Sequence, residues 1–369
     1  MNTQRYQTGI YRIIILVCLG WSLAVTPVQA AWQALGSGMN EQVRALVVGS
    51  DGKLYAGGYF TTAGGVAALR VAYWNGSAWA NMGNGMTSTV FALAAGSSGT
   101  LYAGGAFTTA GSVAALRVAY WNGSAWATLG NGVNSTVYAL AVGSDGTLYA
   151  GGAFTTAGGV AANRVARWNT STSTWQALGT GMDSDVYALA VGSGTLYAGG
   201  YFTTASGVAV NRVARWTGSA WQAMGSGMND EVTALAIGSD GLLYAGGKFI
   251  TAGGVTVNRV ARWSGTAWQA LGTGMNGTVY ALAAGSDGKL YVGGEFTTAG
   301  GVAANRVARW NGTTWEALGD GIGSGEVRAL AVGSDGSLYA GGTFNTAGTT
   351  PAYPIAKWTE DNSYLLWTK

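Results

Sequence analysis

The sequence contains no histidine, one cysteine and three prolines in 369 residues, and only 9% of it is charged. Without histidine, Ser-His-Asp and Cys-His nucleophile pairs are excluded, as are histidine-ligated zinc, copper and haem sites. A single cysteine excludes both an intrachain disulfide and a four-cysteine metal site. Most familiar enzyme chemistries are therefore excluded, and we expect a protein that is not an enzyme.

Glycine is abundant instead: 63 of the 369 residues, or 17%, are glycine, against about 7% in an average protein. The glycines do not recur at every third position and proline is rare, which excludes collagen. Hydrophobic residues make up 48% of the chain and the net charge is only +3. This composition argues against intrinsic disorder and favours a folded, glycine-rich protein.

The N-terminus has the pattern of an export signal. Arg5 and Arg12 precede an apolar run over residues 13–25, and Val28 and Ala30 place small residues before Ala31, as at a signal cleavage site. The run is shorter than the roughly 20 residues that span a bilayer. We predict that residues 1–30 are a cleaved signal peptide and that the protein is secreted, cell-surface or periplasmic. An uncleaved anchor and a buried helix are the alternatives.

The charge balance bears on the partner. Removing Arg5 and Arg12 with the signal from the 19 lysines and arginines would leave 17 basic and 16 acidic residues. Phosphate binding needs a concentrated basic patch, which a near-neutral chain of this kind does not suggest. We therefore expect no nucleic-acid partner and no transmembrane span in the mature chain. The expected partner is an extracellular or cell-surface protein or glycan.

The rest of the chain, residues 31–369, is one unit of about 47 residues repeated seven times. The string Leu-Tyr-Ala/Val-Gly-Gly recurs at intervals of 47 or 48 residues, and two tryptophans recur with it. The tyrosines of this string are Tyr55, Tyr102, Tyr149, Tyr197, Tyr244, Tyr291 and Tyr339. A period of about 40–50 residues is the length of one β-propeller blade.

Each repeat has room for four short strands. In the third repeat, apolar or alternating segments separated by turn residues predict strands over residues 137–143, 147–154, 163–168 and 174–178. Asp145-Gly146 suits a tight hairpin, and residues 155–162 are predicted to be a loop. We therefore predict an all-β chain that forms a single seven-bladed β-propeller of four-stranded antiparallel blades.

The order of the strands also predicts how the ring closes. Residues 31–35 resemble a fourth strand and precede any first strand, while the last repeat ends after its third strand near Trp358. An N-terminal strand that completes the seventh blade would remove two exposed sheet edges. We predict this closure, with residues 364–367 as the alternative fourth strand.

The order of an inner apolar strand, a strand ending in Gly-Gly, an aromatic strand and a tryptophan strand resembles the kelch-type propeller blade. Residues 293–310, Gly-Gly-x-Phe-Thr-Thr-Ala-Gly-Gly-Val-Ala-Ala-Asn-Arg-Val-Ala-Arg-Trp, resemble the "delta-sixty" repeats of bacterial exported proteins. They are also similar to the repeats of fungal cortical-marker ectodomains. The resemblance extends over residues 31–358 and implies an exported scaffold or binding surface. Kelch-like copper-radical oxidases need histidine ligands and a tyrosine–cysteine crosslink, and this chain lacks the histidines.

Candidate binding residues are the positions where the seven copies differ. In a four-stranded blade, the loops from fourth to first strand and from second to third strand share one face. The residue before the opening valine of the first strand varies there, as do nearby acidic residues. We predict ligand-binding residues at these positions: Glu41, Asp185, Glu231 and Glu326. The alternative is solvated loop polarity.

Two neighbouring positions vary in the same way. The residue after Gly-Gly includes Tyr201, Lys248 and Glu295. The residue after the opening valine includes Tyr138, Tyr187 and Tyr280, with Arg44, Phe91, Thr233 and Arg328 in the other repeats. Aromatic rings beside hydrogen-bonding groups suit a glycan or peptide site. The three residues named after Gly-Gly and the three tyrosines after the opening valine are predicted to bind ligand. Packing between blades is the alternative.

Four carboxylates on adjacent repeats suggest one cofactor. Asp183, Asp185, Asp230 and Glu231 offer the hard oxygen ligands that Ca²⁺ prefers, and otherwise no cofactor is expected. The function predicted from the sequence is an exported binding or interaction scaffold for a glycan, peptide or protein. A self-associating structural protein is the alternative, and a polysaccharide hydrolase or lyase that uses Asp185 and Glu231 is a third hypothesis.

Overall fold

The repeated strands pair within each repeat, so that every repeat becomes one blade. The computed structural model describes residues 30–360. Seven four-stranded antiparallel sheets form the blades, which confirms the predicted all-β, seven-bladed propeller. The predicted signal peptide lies outside the described residues apart from Ala30, and so does the alternative strand over 364–367. Residues 30–360 contain one short 3-10 turn, Ser97–Gly99, and no helix long and apolar enough to cross a membrane.

The four strands of each blade follow the order of the sequence from the centre of the ring outwards. The first strands are Val43–Val48, Val90–Ala95, Val137–Val142, Val186–Gly192, Val232–Ile237, Val279–Ala284 and Val327–Val332. The second strands are Leu54–Gly58, Leu101–Gly105, Leu148–Gly152, Thr195–Gly200, Leu243–Gly247, Leu290–Gly294 and Leu338–Gly342. The third strands are Val71–Trp74, Val118–Trp121, Val165–Asn169, Val213–Trp216, Val260–Trp263, Val307–Trp310 and Ile355–Thr359. The fourth strands are Trp79–Asn81, Trp126–Thr128, Thr174–Ala177, Trp221–Ala223, Trp268–Ala270, Trp315–Ala317 and, for blade 7, Ala31–Ala34.

The N-terminal strand closes the ring, as predicted. Ala31–Ala34 pairs antiparallel with Ile355–Thr359, the third strand of blade 7, with Trp32 opposite Trp358. The Trp32 indole is buried, and its Nε1 donates a hydrogen bond to the Leu318 carbonyl of blade 6 at 2.9 Å. The first and last parts of the described chain therefore share one sheet.

The prediction of a loop between the second and third strands is wrong in one respect. In every blade, this segment contains a small two-stranded hairpin. In blade 3, where a loop was predicted over 155–162, Thr156–Ala157 pairs with Val160–Ala161. The other pairs are Thr62–Ala63 with Val66–Ala67, Thr109–Ala110 with Val113–Ala114, Thr204–Ala205 with Val208–Ala209, Thr251–Ala252 with Val255–Thr256, Thr298–Ala299 with Val302–Ala303 and Thr346–Ala347 with Thr350–Pro351. Strands of two residues are too short to show a period of two in the sequence.

The hydrophobic core lies between neighbouring blades. In blade 1, Trp74 and Trp79 pack with ring centroids 5.6 Å apart, and the Trp79 Nε1 donates to the Leu35 carbonyl at 2.9 Å. The equivalent bond to the preceding repeat recurs in all seven blades. The indole N–H of each fourth-strand tryptophan therefore has a partner, and these tryptophans join blades to one another.

The first glycine of the Gly-Gly pair lets blades approach near the centre. A Cβ atom added to Gly293 would meet the Val327 side chain, which opens the first strand of the next blade. The same contact links Gly341 of blade 7 to Val43 of blade 1. The first strands are thereby held side by side around the ring.

Candidate functional site

A β-bulge interrupts the pairing of first and second strands in every blade. In blade 1, Val43 lies opposite Gly58 and Ala45 lies opposite Gly57, so Arg44 has no partner residue. The other six blades repeat this shift. A bulge frees one residue from the ladder and redirects its side chain. The bulged residues are Arg44, Phe91, Tyr138, Tyr187, Thr233, Tyr280 and Arg328.

The bulged residues surround a cavity on the axis of the ring. Together with Glu231 and Lys248 they line a volume of about 460 Å³, within the usual range of roughly 300–1,000 Å³ for ligand sites. A second cavity of about 180 Å³ is lined by six of them and by alanines and leucines of the first strands. We call the larger cavity the axial cavity.

Aromatic rings form one side of the axial cavity. Phe91, Tyr138 and Tyr187 come from three consecutive blades, and successive ring centroids are 5.6 Å apart in edge-to-face contact. Tyr59 adds a fourth ring, 6.0 Å from Phe91. We call Phe91, Tyr138 and Tyr187 the aromatic arc. Such rings offer apolar faces together with tyrosine hydroxyl groups.

Two arginines from neighbouring blades occupy another part of the cavity wall. The Arg44 guanidinium lies 5.4 Å from the Phe91 ring centroid, and the Arg328 guanidinium lies 3.7 Å from that of Tyr280. Glu326 forms an ion pair with Arg328. Burial and the nearby positive charge of Arg328 lower the pKa of Arg44, but arginine remains protonated at neutral pH.

The two variable loop positions of a blade are neighbours across its strands. The Lys248 backbone N–H donates to the Glu231 carbonyl at 3.0 Å, and the Lys248 Nζ lies 3.0 Å from a Glu231 carboxylate oxygen. In blade 6, the Glu295 carboxylate accepts hydrogen bonds from the hydroxyls of Thr278 at 2.7 Å and Tyr280 at 3.1 Å. These hydrogen bonds, the Thr278 bond first, lower the pKa of Glu295.

Asp185 stands beside the aromatic arc. Its carboxylate lies 4.0 Å from Nε of Arg164 in the preceding blade, and burial raises its pKa although Arg164 opposes the shift. Burial, with the nearby charges of Asp185 and Glu231, raises the pKa of Tyr187 to about 12. The tyrosine is therefore neutral at physiological pH and keeps its hydroxyl proton as a hydrogen-bond donor.

Five of the ten predicted ligand residues line the axial cavity: Tyr138, Tyr187, Glu231, Lys248 and Tyr280. Glu326 and Glu295 do not line it but contact Arg328 and Tyr280, which do. Glu41 and Tyr201 are exposed, and Tyr201 lies 5.5 Å from the Arg212 guanidinium.

The four carboxylates predicted as calcium ligands each have other neighbours. Asp183 accepts the backbone N–H groups of Thr203 and Thr204 at 2.8 and 3.0 Å, and Asp230 accepts the N–H of Glu231 at 2.8 Å. Asn40 makes the same backbone contacts in blade 1 that Asp183 makes in blade 4. Within residues 30–360, no three acidic or cysteine side chains are grouped so that they could hold a metal ion.

The cavity lining includes four residues that were not among the predicted ligand residues. Arg44, Phe91, Thr233 and Arg328 occupy the same repeat position as the three tyrosines that were predicted. Their position in the repeat, one residue after the opening valine, was therefore enough to predict that they line the cavity. An argument from tyrosine residues alone misses them because it ignores the position they share.

Sequence comparison supports the propeller assignment. The family model for the Rax2 C-terminal beta propeller domain matches residues 121–275. The model for a beta-propeller domain of unknown function, DUF5122, matches residues 49–72 and 285–312. Both are β-propeller domains, and the chain is a β-propeller repeat protein. No curated protein matches the sequence.

Many solved structures share the fold. The WD40 propeller of Doa1 has a TM-score of 0.60 at 15% identity and covers 92% of this chain and 99% of that one. The extracellular domain of the one-component system BT4673 from B. thetaiotaomicron has a TM-score of 0.60 at 12% identity, covering 89% of this chain and 39% of that one. The RRP9 WD40 repeats have a TM-score of 0.60 at 17% identity, covering 90% and 98%. In all, 808 chains match, so the fold alone does not identify a function.

Proposed function

We propose that this β-propeller protein is an exported, non-enzymatic binding module that holds a glycan, peptide or protein ligand at the axial cavity. The observation that carries the proposal is the convergence of one variable repeat position on an open cavity. Seven copies keep the valine before this position and the alanine after it, while the bulged residue between them changes. A position that varies on the cavity wall between residues that stay constant is what a binding surface on a constant scaffold requires.

The repeat type, the export and the class of partner are part of the same proposal. We assign the repeat to the kelch-like and delta-sixty type on the strings quoted above, and the export on the pattern of residues 1–30. An extracellular propeller domain among the structures that share the fold is consistent with export. The partner is an extracellular or cell-surface protein or glycan, not nucleic acid.

The test is a glycan and peptide array probed with the mature chain. A hit should weaken in Tyr187→Ala, which removes one ring of the aromatic arc, and in the Asp185→Ala/Glu231→Ala double variant. Tyr120→Ala is the matched control, since Tyr120 is also half-buried but lies on a third strand away from the cavity. Binding that is lost equally in Tyr120→Ala, or unaffected by the cavity variants, would contradict the proposal.

A self-associating surface protein is a second candidate because one repeat position is apolar and exposed in three adjacent blades. Leu69, Leu116 and Tyr353 are 41%, 41% and 53% exposed and come from the adjacent blades 1, 2 and 7. In blades 3–6 the same position is asparagine, which donates to a loop carbonyl, as Asn163 does to Thr180 at 2.9 Å. Sedimentation of the wild type and of Leu69→Asn/Leu116→Asn over a range of concentrations tests this role. Assembly that the double variant abolishes would favour it.

Catalysis and calcium binding have separate tests. Hydrolysis or lysis of a polysaccharide panel that is lost in Asp185→Asn would replace the binding role with an enzymatic one.

For calcium, we expect the melting temperature to be the same with added Ca²⁺ and with a chelator, because the four carboxylates have protein partners. A rise of the melting temperature with calcium that Asp183→Asn removes would show a metal site.

A further inference from the structure

We propose that the ligand is an acidic glycan whose sugar carboxylate is bound by Arg44 and Arg328 in the axial cavity. This inference rests on the proposed binding function and names the ligand class of that same site. It is drawn from the two arginines, their surroundings and the aromatic arc beside them.

The arginines are not required by the blade. The bulged position holds phenylalanine, tyrosine or threonine in blades 2–6, so the fold accepts rings and a small polar side chain there. Arginine occurs only in blades 7 and 1. These blades are neighbours, since Val43 of blade 1 packs where a Cβ on Gly341 of blade 7 would stand. Two cations are therefore placed side by side in a half-buried wall, an arrangement that repulsion opposes unless an anion is shared.

The protein balances only part of this charge. Glu326 pairs with Arg328, and among residues 30–360 no carboxylate forms an ion pair with Arg44. The Nε of Arg328 is buried and has no hydrogen-bond partner in the described part of the chain. Arg164 and Arg212, which do not line the cavity, also have a buried Nε without a partner, so the signal for an anion is the unbalanced charge of Arg44 and Arg328 and not this N–H group.

The ring contacts of the two arginines are compatible with binding of a planar anion. Phe91 and Tyr280 lie against the guanidinium groups of Arg44 and Arg328. Ring contacts of this kind can engage the face of a guanidinium and leave N–H groups at its edge. The Arg328 Nη2 is already paired with Glu326, whereas none of the ion pairs within residues 30–360 involves Arg44. A carboxylate has two oxygens in one plane and matches that edge with paired hydrogen bonds.

The rest of the cavity favours a sugar over a peptide. An extended peptide is usually held through backbone hydrogen bonds to a strand edge or along a groove, whereas this cavity is lined by side chains from all seven blades. The aromatic arc offers apolar faces for the C–H groups of a sugar ring. The Tyr138 and Tyr187 hydroxyls and the Glu231–Lys248 pair offer partners for sugar hydroxyls.

Calorimetric titration of the mature chain tests the inference. The probes are trigalacturonate, a hyaluronan tetrasaccharide, the methyl ester of trigalacturonate, and a hexaglutamate peptide. We expect at least one of the two acidic sugars to bind, and the ester and the peptide not to bind. Arg44→Gln and Arg328→Gln should each weaken binding on the order of tenfold or more, as expected for loss of a hydrogen-bonded ion pair.

Matched variants separate a specific site from general charge and from misfolding. Arg215→Gln removes a half-buried arginine that hydrogen-bonds Gln222 on the outer strands and should leave binding unchanged. Arg44→Lys keeps the charge but loses the planar fork, so we expect it to bind more weakly than wild type and more tightly than Arg44→Gln. The melting temperature of each variant shows that it is folded.

The outcomes distinguish this inference from the proposed function. The inference is overturned if neither acidic sugar binds, if the ester or the peptide binds equally well, or if Arg215→Gln weakens binding as much as Arg44→Gln. If a neutral glycan or a peptide binds and Tyr187→Ala abolishes that binding, the binding function stands and only the carboxylate assignment fails. If no ligand of the array depends on cavity residues, the proposed function fails as well.

Discussion

Ring closure by the N-terminal strand makes a quantitative prediction for Trp32. Its indole is 5% exposed and donates to the Leu318 carbonyl of blade 6 at 2.9 Å, while its ring packs 5.4 Å from Trp358. Trp32→Phe keeps an aromatic ring but loses this hydrogen bond. The Leu318 carbonyl still accepts the Gly321 N–H at 3.1 Å, so we expect a loss of only about 0.5–1.5 kcal/mol. Trp32→Ala also removes the ring, and we expect a loss of about 3–5 kcal/mol.

Trp175 is the matched control because it makes the same bond, to the Leu129 carbonyl at 2.9 Å. Its strand, Thr174–Ala177, follows the third strand of its own blade, Val165–Asn169, through a short turn. Ala31–Ala34 has no such covalent neighbour in blade 7 and is held there only by packing and hydrogen bonds. Equal local losses are therefore expected for the two Trp→Phe variants, but Trp32→Ala should also release the closing strand.

Urea unfolding measures the free energy of unfolding that each Trp32 and Trp175 variant loses. Hydrogen exchange with mass spectrometry measures whether the closing strand Ala31–Ala34 is released. In Trp32→Ala, the amides of Ile355–Thr359 should exchange faster because they lose the cover of the N-terminal strand. Trp175→Ala should not change exchange there. Unchanged protection of Ile355–Thr359 in Trp32→Ala, or a loss no larger than in Trp175→Ala, would refute closure of the ring through Trp32.

Three further predictions concern packing, titration and the variable loops. Gly293→Ala places a methyl group against Val327 of the next blade and should lower the free energy of unfolding in urea by about 1–3 kcal/mol; an unchanged midpoint would contradict the close approach. Burial first, and nearby carboxylates second, raise the pKa of Tyr187 from 10.0 to about 12. The folded state therefore favours the protonated phenol, and the stability that this preference contributes is complete below pH 10 and is lost as the pH rises through 12. Ultraviolet titration of Tyr187→Phe should show one fewer late-titrating tyrosine, and an unchanged late phase would contradict the shift. Asp183→Asn should be nearly neutral in thermal melting while Asp183→Ala costs about 1 kcal/mol, since the N–H bonds from Thr203 need only an acceptor; equal losses would contradict a capping role.

The blades were predictable from the sequence because their signals repeat. A single run such as Val-Tyr-Ala-Leu-Ala-Val does not distinguish a strand from a buried helical segment, but seven copies with the same turns on either side do. The closing strand was predictable for a related reason, since residues 31–35 stand before any first strand. The small hairpins, such as Thr156–Ala157 with Val160–Ala161, were not, because two-residue strands leave no pattern.

The site was only partly predictable, and the bulge explains why. The sequence Val-x-Ala of the first strand is the same whether its middle residue belongs to the ladder or lies in a bulge, so the direction of that side chain cannot be derived from the pattern. The register assigned Tyr138, Tyr187 and Tyr280 as candidates, and the bulge turns them into the axial cavity. Contacts such as that between Glu295 and Tyr280 depend on side-chain geometry, which the sequence does not encode in any local signal.

Seven-fold repetition also explains why changes at this one position are suited to binding. Equivalent residues at the rim of a propeller are far apart, so a change in one copy stays isolated there. Equivalent residues near the axis converge, so changes in adjacent copies merge into one surface. Phe91, Tyr138 and Tyr187 become an aromatic arc in this way. Arg44 and Arg328 stand near opposite ends of the sequence and become neighbours because the first strands of blades 7 and 1 pack together where Val43 meets Gly341. Ala31–Ala34 completes the outer edge of blade 7, so the N-terminal and C-terminal parts of the repeat region meet both at the outer edge of this blade and at the arginine pair near the axis.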